Sequence, residues 1–159
     1  MIDYRAHYAG WVMSCADFFA KDLAALSEEQ YNNTYGGVTR SPRNIATEVA
    51  VLTSGTVKIV QGGDMAMPGD EVMKATEIEL DTPAKAGHAV KAAAVELAKA
   101  VKAASDEDLA REIMMPWGQA FSAYALAHLT ATHIMYHDGQ INYVQAINGD
   151  AEMHWFGPG

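Results

Sequence analysis

Four long stretches with apolar residues at helical spacing constrain the fold more than any other feature of the sequence. In each stretch, apolar side chains recur every three or four residues, as in a helix that buries one face. The predicted helices run over about Tyr4–Leu26, Ser41–Gln61, Asp81–Ala104 and Gln119–Ile147. We therefore predict an all-α fold, a four-helix bundle built as a single domain over residues 1–159.

Residues that favour helix starts and ends stand at these boundaries. Ser41 and Thr82 each precede a proline, the combination of cap and first-turn residue that favours a helix start. A glycine pair at 62–63 ends the second helix. The two longest connections are predicted at Asp64–Asp81, between the second and third helices, and at Ser105–Gly118. We expect the tail after the fourth helix, which ends in Trp-Phe-Gly-Pro-Gly, to dock on the bundle.

Charge and composition exclude several classes of partner. The chain has 20 acidic and 11 basic residues, a formal charge of −9, whereas nucleic acids and anionic membranes require a basic surface. The sequence has no uncharged apolar run of membrane-spanning length and no signal-peptide pattern at its start. Its one cysteine, Cys15, excludes an intramolecular disulfide and is expected to be inert in the core. We predict a cytoplasmic protein that binds neither nucleic acid nor membrane.

Two histidines four residues apart are the strongest sign of chemistry. His133 and His137 lie in the fourth predicted helix, where residues at this spacing share one face. Two imidazoles placed in this way can bind one metal ion. They share a stripe with mostly apolar residues, so we expect them to face the core, whereas His128 points to the opposite side. The alternative is a histidine pair that is satisfied by hydrogen bonds without metal.

Glu48 is the best candidate for a third ligand. It is the one charged residue between Arg43 and Lys58 in the second predicted helix. A buried carboxylate without a partner costs several kcal/mol, and a metal ion or a charged histidine would relieve that cost. The alternative is that this side of the helix faces water, because its other side is apolar too. We predict a metal site formed by Glu48, His133 and His137.

The motif His-x-x-Tyr-His-x-Gly-Gln-Ile at residues 133–141 resembles the last helix of the DinB-like (DNA-damage-inducible) four-helix-bundle superfamily. The resemblance extends to Leu23–Gln30, to Ser41–Thr47 and to Asn148–Gly149. This superfamily includes metal-dependent hydrolases and thiol-dependent S-transferases. Its members typically take one metal-binding histidine from the second helix and two from the fourth. The superfamily name records the induction of an early member by DNA damage and does not imply DNA binding.

The resemblance implies a function and a ligand set for this chain. His133 and His137 match the histidine pair, and the second-helix position falls on Glu48, which alters the charge of the site. Asp138 stands where the family often has a basic residue, so an ion pair would be missing. The expected cofactor is a divalent ion, zinc or nickel, whose open positions bind water or a substrate thiolate. The expected reaction is thiol S-transfer or hydrolysis of a small-molecule substrate.

Two further hypotheses remain open at this point. A non-catalytic bundle without metal could bind a small molecule or a partner, with Glu48 pairing with a protonated histidine. The absence of a Glu-x-x-His pair argues against a ferritin-like di-iron site.

The second predicted helix is apolar around most of its circumference and the third offers a face of alanines, and such excess apolar surface often marks a subunit contact. We therefore predict a homodimer.

Overall fold

Four long helices dominate the computed structural model, which describes residues 2–156. They are α1 (Tyr4–Ala24), α3 (Pro42–Val60), α5 (Pro83–Ala103) and α7 (Ala123–Ile147). The connections hold the short helices α2 (Glu28–Asn32), α4 (Asp70–Glu79) and α6 (Asp106–Ala110), and the strands β1 (Glu112–Met114) and β2 (Ala120–Ser122). The predicted all-α helical bundle is thus confirmed. Its extent as one domain over 1–159 stays a prediction, since residues 1 and 157–159 lie outside the described part.

The long helices form a ring in which each packs against two others, in the order α1, α5, α3 and α7. The Tyr8 hydroxyl of α1 donates to the Ala127 carbonyl of α7, and these two helices run in the same direction. α3 runs antiparallel to α7, and the hydroxyls of Thr56 and Thr130 hydrogen-bond between them at 2.8 Å. This bond fixes the register of the two helices that carry the predicted ligands.

The core consists of large side chains that the four long helices and α2 bury completely. The largest of them are Tyr8, Phe19, Leu23, Tyr31, Leu97, Ile134 and Ile141. At Gly87 of α5 an added Cβ would lie 3.1 Å from the Cβ of Ala20, so this glycine permits the close approach of α1 and α5. Among residues 2–156, no helix has both the length and the apolar character needed to cross a membrane.

The connection predicted at Asp64–Asp81 contains a helix that the sequence pattern did not reveal. No residue of α4 is buried, and the helix is short and follows Pro68 and Gly69, which are typical of a loop. The guanidinium of Arg43 donates to the Glu77 carbonyl, with Nε at 2.8 Å, and holds the end of α4 against the start of α3. The connection therefore lies along the side of α3 as an ordered wall.

The start of the fourth helix was predicted wrongly. The helix was expected from about Gln119, but residues 120–122 form β2, which pairs with β1 in an antiparallel hairpin. Gly118 adopts a left-handed φ of 86° in the turn, a conformation that favours glycine. The hydroxyl of Ser122 then accepts a hydrogen bond from the Ala125 N–H and caps α7.

The tail docks on the bundle as predicted. The Trp155 ring stacks on Phe18 with 4.7 Å between ring centroids. Its indole N–H donates to the Asp22 carboxylate at 2.7 Å. The last three residues of the predicted tail, 157–159, lie outside the described part.

Candidate metal centre

The structure brings the three predicted ligands together at one point between α3 and α7. Nε2 of His133 lies 3.1 Å from Oε1 of Glu48, and Nε2 of His137 lies 3.4 Å from the same oxygen. The two Nε2 atoms are 3.0 Å apart. Ligand atoms bound to one tetrahedral ion through bonds of 2.0–2.1 Å lie about 3.3 Å from one another. The spacing of these three atoms therefore fits one divalent ion.

The helical positions of the histidines direct both rings to this point. His133 and His137 lie one turn apart on α7, with ring centroids 4.4 Å apart and ring planes at 88°. His137 is 2 % exposed, whereas His133 and Glu48 are half-buried. The centre is therefore closed on the side of His137 and open to solvent on the side of His133.

Gln140 sets the protonation of His137. Nδ1 of His137 lies 2.7 Å from the amide oxygen of Gln140, which can only accept a hydrogen bond. Nδ1 therefore carries the proton, and the lone pair of Nε2 points to the centre. Burial lowers the pKa of His137 and outweighs the opposing effect of Gln140. The ring is thus held in the neutral form and the tautomer that a metal ligand needs.

Arg40 holds the other end of the Glu48 carboxylate. It lies in the loop before α3, and its guanidinium forms a salt bridge with Oε2 of Glu48. Burial alone would raise the pKa of Glu48, but hydrogen bonds from Arg40 and His133 overcome this effect and lower it to about 2. The carboxylate is therefore ionised, with Oε1 free to face the imidazoles. Sequence reasoning missed Arg40, whose charge offsets the change in site charge expected from a glutamate at this position.

The predicted core face of α7 is only partly buried. Leu126 and Val144 on this face are buried, but Leu129 is 44 % exposed and Ile147 is 50 % exposed. His128 lies away from the centre, as predicted, with its ring centroid 5.0 Å from that of Tyr8. The face that carries the ligands thus lines open space at several positions.

Two pockets flank the centre and explain this exposure. A groove of about 940 Å³ lies between α3, α7 and the connection that contains α4, and it reaches His133 and Tyr136. A smaller pocket of about 590 Å³ lies on the other side and is lined by Arg40, Gln140 and Tyr143, among others. The larger groove therefore gives a small molecule access to the centre from the side of His133.

The residue after His137 belongs to a different, closed cluster. Asp138 and Asp22 are both completely buried. Asp22 accepts hydrogen bonds from the Asn142 amide and the Trp155 indole, each at 2.7 Å. Burial and the charge of Asp22 raise the pKa of Asp138 to about 8. At neutral pH Asp138 is therefore protonated, so the position expected to lack an ion pair holds a neutral carboxyl group beside the Asp22 carboxylate.

Cys15 lies in the same closed part of the core. Its thiol is fully buried, as predicted, and burial raises its pKa to about 12. A thiolate at that position is disfavoured at physiological pH, so Cys15 is not a nucleophile.

Comparisons with known proteins agree with this fold. A DinB-like protein from Bacillus subtilis superposes with a TM-score of 0.66 at 13 % identity, covering 92 % of this chain and 95 % of that one. A mycothiol-dependent maleylpyruvate isomerase superposes with a TM-score of 0.62 at 14 % identity, covering 89 % of this chain and 60 % of the isomerase. At these identities the likeness shows the fold alone. No curated protein matches the sequence. The family model of the DinB superfamily matches residues 15–141, and the chain therefore belongs to that superfamily.

Proposed function

We propose that this chain is a divalent-metal-dependent enzyme of the DinB class that acts on a small molecule. The observation that carries the proposal is the convergence of Glu48, His133 and His137, with ligand atoms 3.0–3.4 Å apart at the edge of a groove. One carboxylate and two imidazoles form a donor set that suits zinc or nickel. Three protein ligands leave at least one position of the ion open, as catalytic sites require.

The residues around the centre each have a role in this proposal. A bound ion would lower the pKa of a water or thiol at the open position, so that the nucleophile forms near neutral pH. Gln140 holds His137 in the tautomer that presents Nε2. Arg40 orients Glu48 and keeps its carboxylate ionised. The substrate approaches from the open side of His133.

The reaction that we propose first is thiol S-transfer, with hydrolysis second. The support for thiol chemistry is the likeness in fold to an isomerase that is described as mycothiol-dependent. This chain spans 60 % of that isomerase, so the support concerns the shared bundle.

The competing proposal is a metal-free bundle that binds a small molecule. It is favoured by one observation: the 3.1 Å between Nε2 of His133 and Oε1 of Glu48 also suits a direct hydrogen bond, with the proton on the histidine. In that case no nucleophile would be generated at the centre. The two proposals differ in whether the site takes up an ion.

Calorimetric titration of the metal-free protein with Zn²⁺ and with Ni²⁺ tests the proposal. The expected result is one ion per chain, lost in His133→Ala and retained in His128→Ala. The second variant is a matched control, because His128 lies on the same helix but packs against Tyr8 and Tyr124. Equal binding by both variants, or no binding by the wild type, would favour the metal-free bundle.

We also propose that the protein forms a homodimer, although not through α3. The apolar side chains of α3 that suggested this are buried or half-buried within the chain itself. Exposed apolar side chains lie instead near the end of α7, where Tyr143 is 69 % exposed and Ile147 is 50 % exposed. Sedimentation should give twice the 17.1 kDa mass of the chain, and Tyr143→Glu should give a monomer. A wild-type monomer at micromolar concentration would contradict this.

A further inference from the structure

We infer that the groove beside the candidate metal centre binds a substrate with an apolar, elongated body, whose polar end lies next to His133. The inference rests on the proposed function, because it assigns the substrate class of the same site. At about 940 Å³, the groove has the size of a small-molecule binding site. Four features of its lining determine which ligand chemistry fits.

The first feature is the direction of the groove floor. Leu52, Gly55 and Ile59 follow Glu48 along the same face of α3 at intervals of three and four residues, and all three line the groove. The eleven helical steps from Glu48 to Ile59 span about 16 Å. On the antiparallel α7, Leu129 precedes His133 and lines the same floor. The floor is therefore long and apolar, and it begins at the centre.

The second feature is the chemistry of the walls. Met65, Met67 and Met115 line the groove, and their flexible thioether side chains adapt to apolar ligands of different shape. The charged residues among the lining are Lys58, Asp64 and Glu79, each of which is exposed at the rim. The interior of the groove therefore offers apolar contact, with charge confined to its edge.

The third feature is the pair of hydroxyl groups in the floor. Thr56 and Thr130 line the groove, but they hydrogen-bond to each other at 2.8 Å. A carbonyl four residues earlier in the same helix also lies within hydrogen-bond distance of each hydroxyl, so one hydroxyl donates to the other and the second donates to its carbonyl. These groups are satisfied without a ligand, so they do not select for a polar one.

The fourth feature is a glycine within a helix. A Cβ added at Gly55 would meet no atom within 4 Å, so no neighbouring helix requires a glycine at this position. Glycine inside a helix is less stable than alanine. The absent side chain instead widens the groove between the centre and Ile59, which leaves room for a ligand body.

The shape of the groove favours a small molecule over a second copy of the chain. The connection with α4 forms one wall, through residues such as Val72 and Thr76, and the opposite side is α7. A ligand in this trough has its end beside His133, where the proposed reaction takes place. A second copy would have to insert a segment between α4 and α7 and would block the centre.

Binding of straight-chain alcohols of six to ten carbons to the metal-free protein tests the groove itself. Each buried methylene should increase the affinity about fourfold. Gly55→Phe should remove this length dependence, because its Cβ meets no atom within 4 Å and its ring would occupy the volume of the groove. Gly10→Phe is the matched control, since Gly10 is an exposed helical glycine on α1 that also has no atom within 4 Å of an added Cβ. It should bind like the wild type.

Alkyl hydroxamates of the same chain lengths, added to the zinc-loaded protein, test the orientation. They should bind more tightly than the alcohols and with the same length dependence, because the head group can reach the ion while the chain lies in the groove. If the wild type and Gly55→Phe bind zinc equally, but the affinity of the wild type for the alkyl ligands does not depend on chain length, the inference is overturned. The metal site would then remain intact. Alcohol binding without any zinc binding would overturn the proposed function and, with it, the assignment of the groove to a substrate. A change in sedimentation mass on Gly55→Phe would show that a second copy fills the groove, and would also overturn the inference.

Discussion

Two acidic clusters lie on different faces of α7, and adjacent residues of that helix belong to each. His137 faces Glu48, whose carboxyl pKa is lowered to about 2. Asp138 faces Asp22, and its pKa is raised to about 8. Burial raises the pKa of both carboxyl groups, so burial does not explain the difference. The neighbours do: Glu48 has a guanidinium and an imidazole as partners, whereas Asp138 has a second carboxylate.

The difference separates a binding site from a structural pair. The Glu48 cluster has lone pairs that converge on one point, and a groove reaches this point at His133. Both carboxyl groups of the Asp138 cluster are completely buried, and Asp138 holds a proton at neutral pH. An acidic residue in a helical core therefore indicates function only when its partners leave it ionised and accessible.

The largest expected effect comes from removing the charge of Glu48. Glu48→Gln keeps the shape of the side chain but replaces the ligand oxygen by an amide. We expect zinc affinity to fall more than about 100-fold, above the range seen when only a supporting residue is lost. Calorimetric titration measures this. Asp138→Asn is the control from the other cluster and should bind zinc like the wild type; weakened binding in both variants would remove the distinction between the clusters.

The second prediction concerns pH and the Asp138 pair. An unfolded aspartate has a pKa of about 3.9, whereas that of Asp138 in the folded protein is about 8. Between these values the folded state holds a proton that the unfolded state has lost, so this group makes stability fall as pH rises from about 4 to 8. Asp138→Asn mimics the protonated form. It should raise the free energy of unfolding by about 1–3 kcal/mol at pH 8 and by much less at pH 4.

Urea unfolding at several pH values checks this prediction. The wild type should lose stability across that window more steeply than Asp138→Asn. An unchanged slope in the variant would show that Asp138 is ionised in the folded protein. The pair would then resemble the Glu48 cluster rather than contrast with it.

A smaller effect is expected from Gln140, which supports the metal site without touching the ion. Gln140→Leu removes the acceptor for Nδ1–H of His137, so zinc affinity should fall about tenfold. Gln140→Glu keeps an acceptor at that position and should bind nearly as well as the wild type. A leucine variant with unchanged affinity would mean that burial alone orients His137.

The last prediction is that Cys15 does not react with an alkylating reagent in the native protein. Cys15 is fully buried and its thiol pKa is raised to about 12, so iodoacetamide should not label the native protein at pH 8. Labelling should appear in urea, which serves as the positive control. If mass spectrometry detects rapid labelling of the native protein, the closed part of the core opens to small molecules.

The ligand set could be predicted from the sequence because it depends on spacing within single helices. His133 and His137 are four residues apart, and Glu48 interrupts an apolar helix as an isolated charge. The partners that tune these residues could not be predicted in the same way. Arg40 reaches Glu48 from a loop, and Asp22 meets Asp138 from another helix, so both contacts depend on packing.

The connections were the least predictable part of the fold. α4 is a short helix with no buried residue, and β1 and β2 have three residues each, too few to show alternation. The exposure of Leu129 was also missed, because periodicity identifies a face but not whether a neighbour covers it. The long helices, whose buried stripes extend over several turns, were placed to within a few residues.

The candidate metal ligands and one wall of the groove lie on different elements of the fold. This arrangement affects how related proteins can diverge in sequence. All three candidate ligands stand on α3 and α7, whose register is fixed by the Thr56–Thr130 bond, whereas one wall of the groove is the connection around α4. Because α4 buries none of its own residues, substitutions and length changes there leave the bundle core intact. Mutation in this segment can thus change the wall of the groove while the three candidate ligands keep their positions, and if the groove binds a substrate as proposed, a library restricted to residues 64–79 would explore new specificities at little cost in folding.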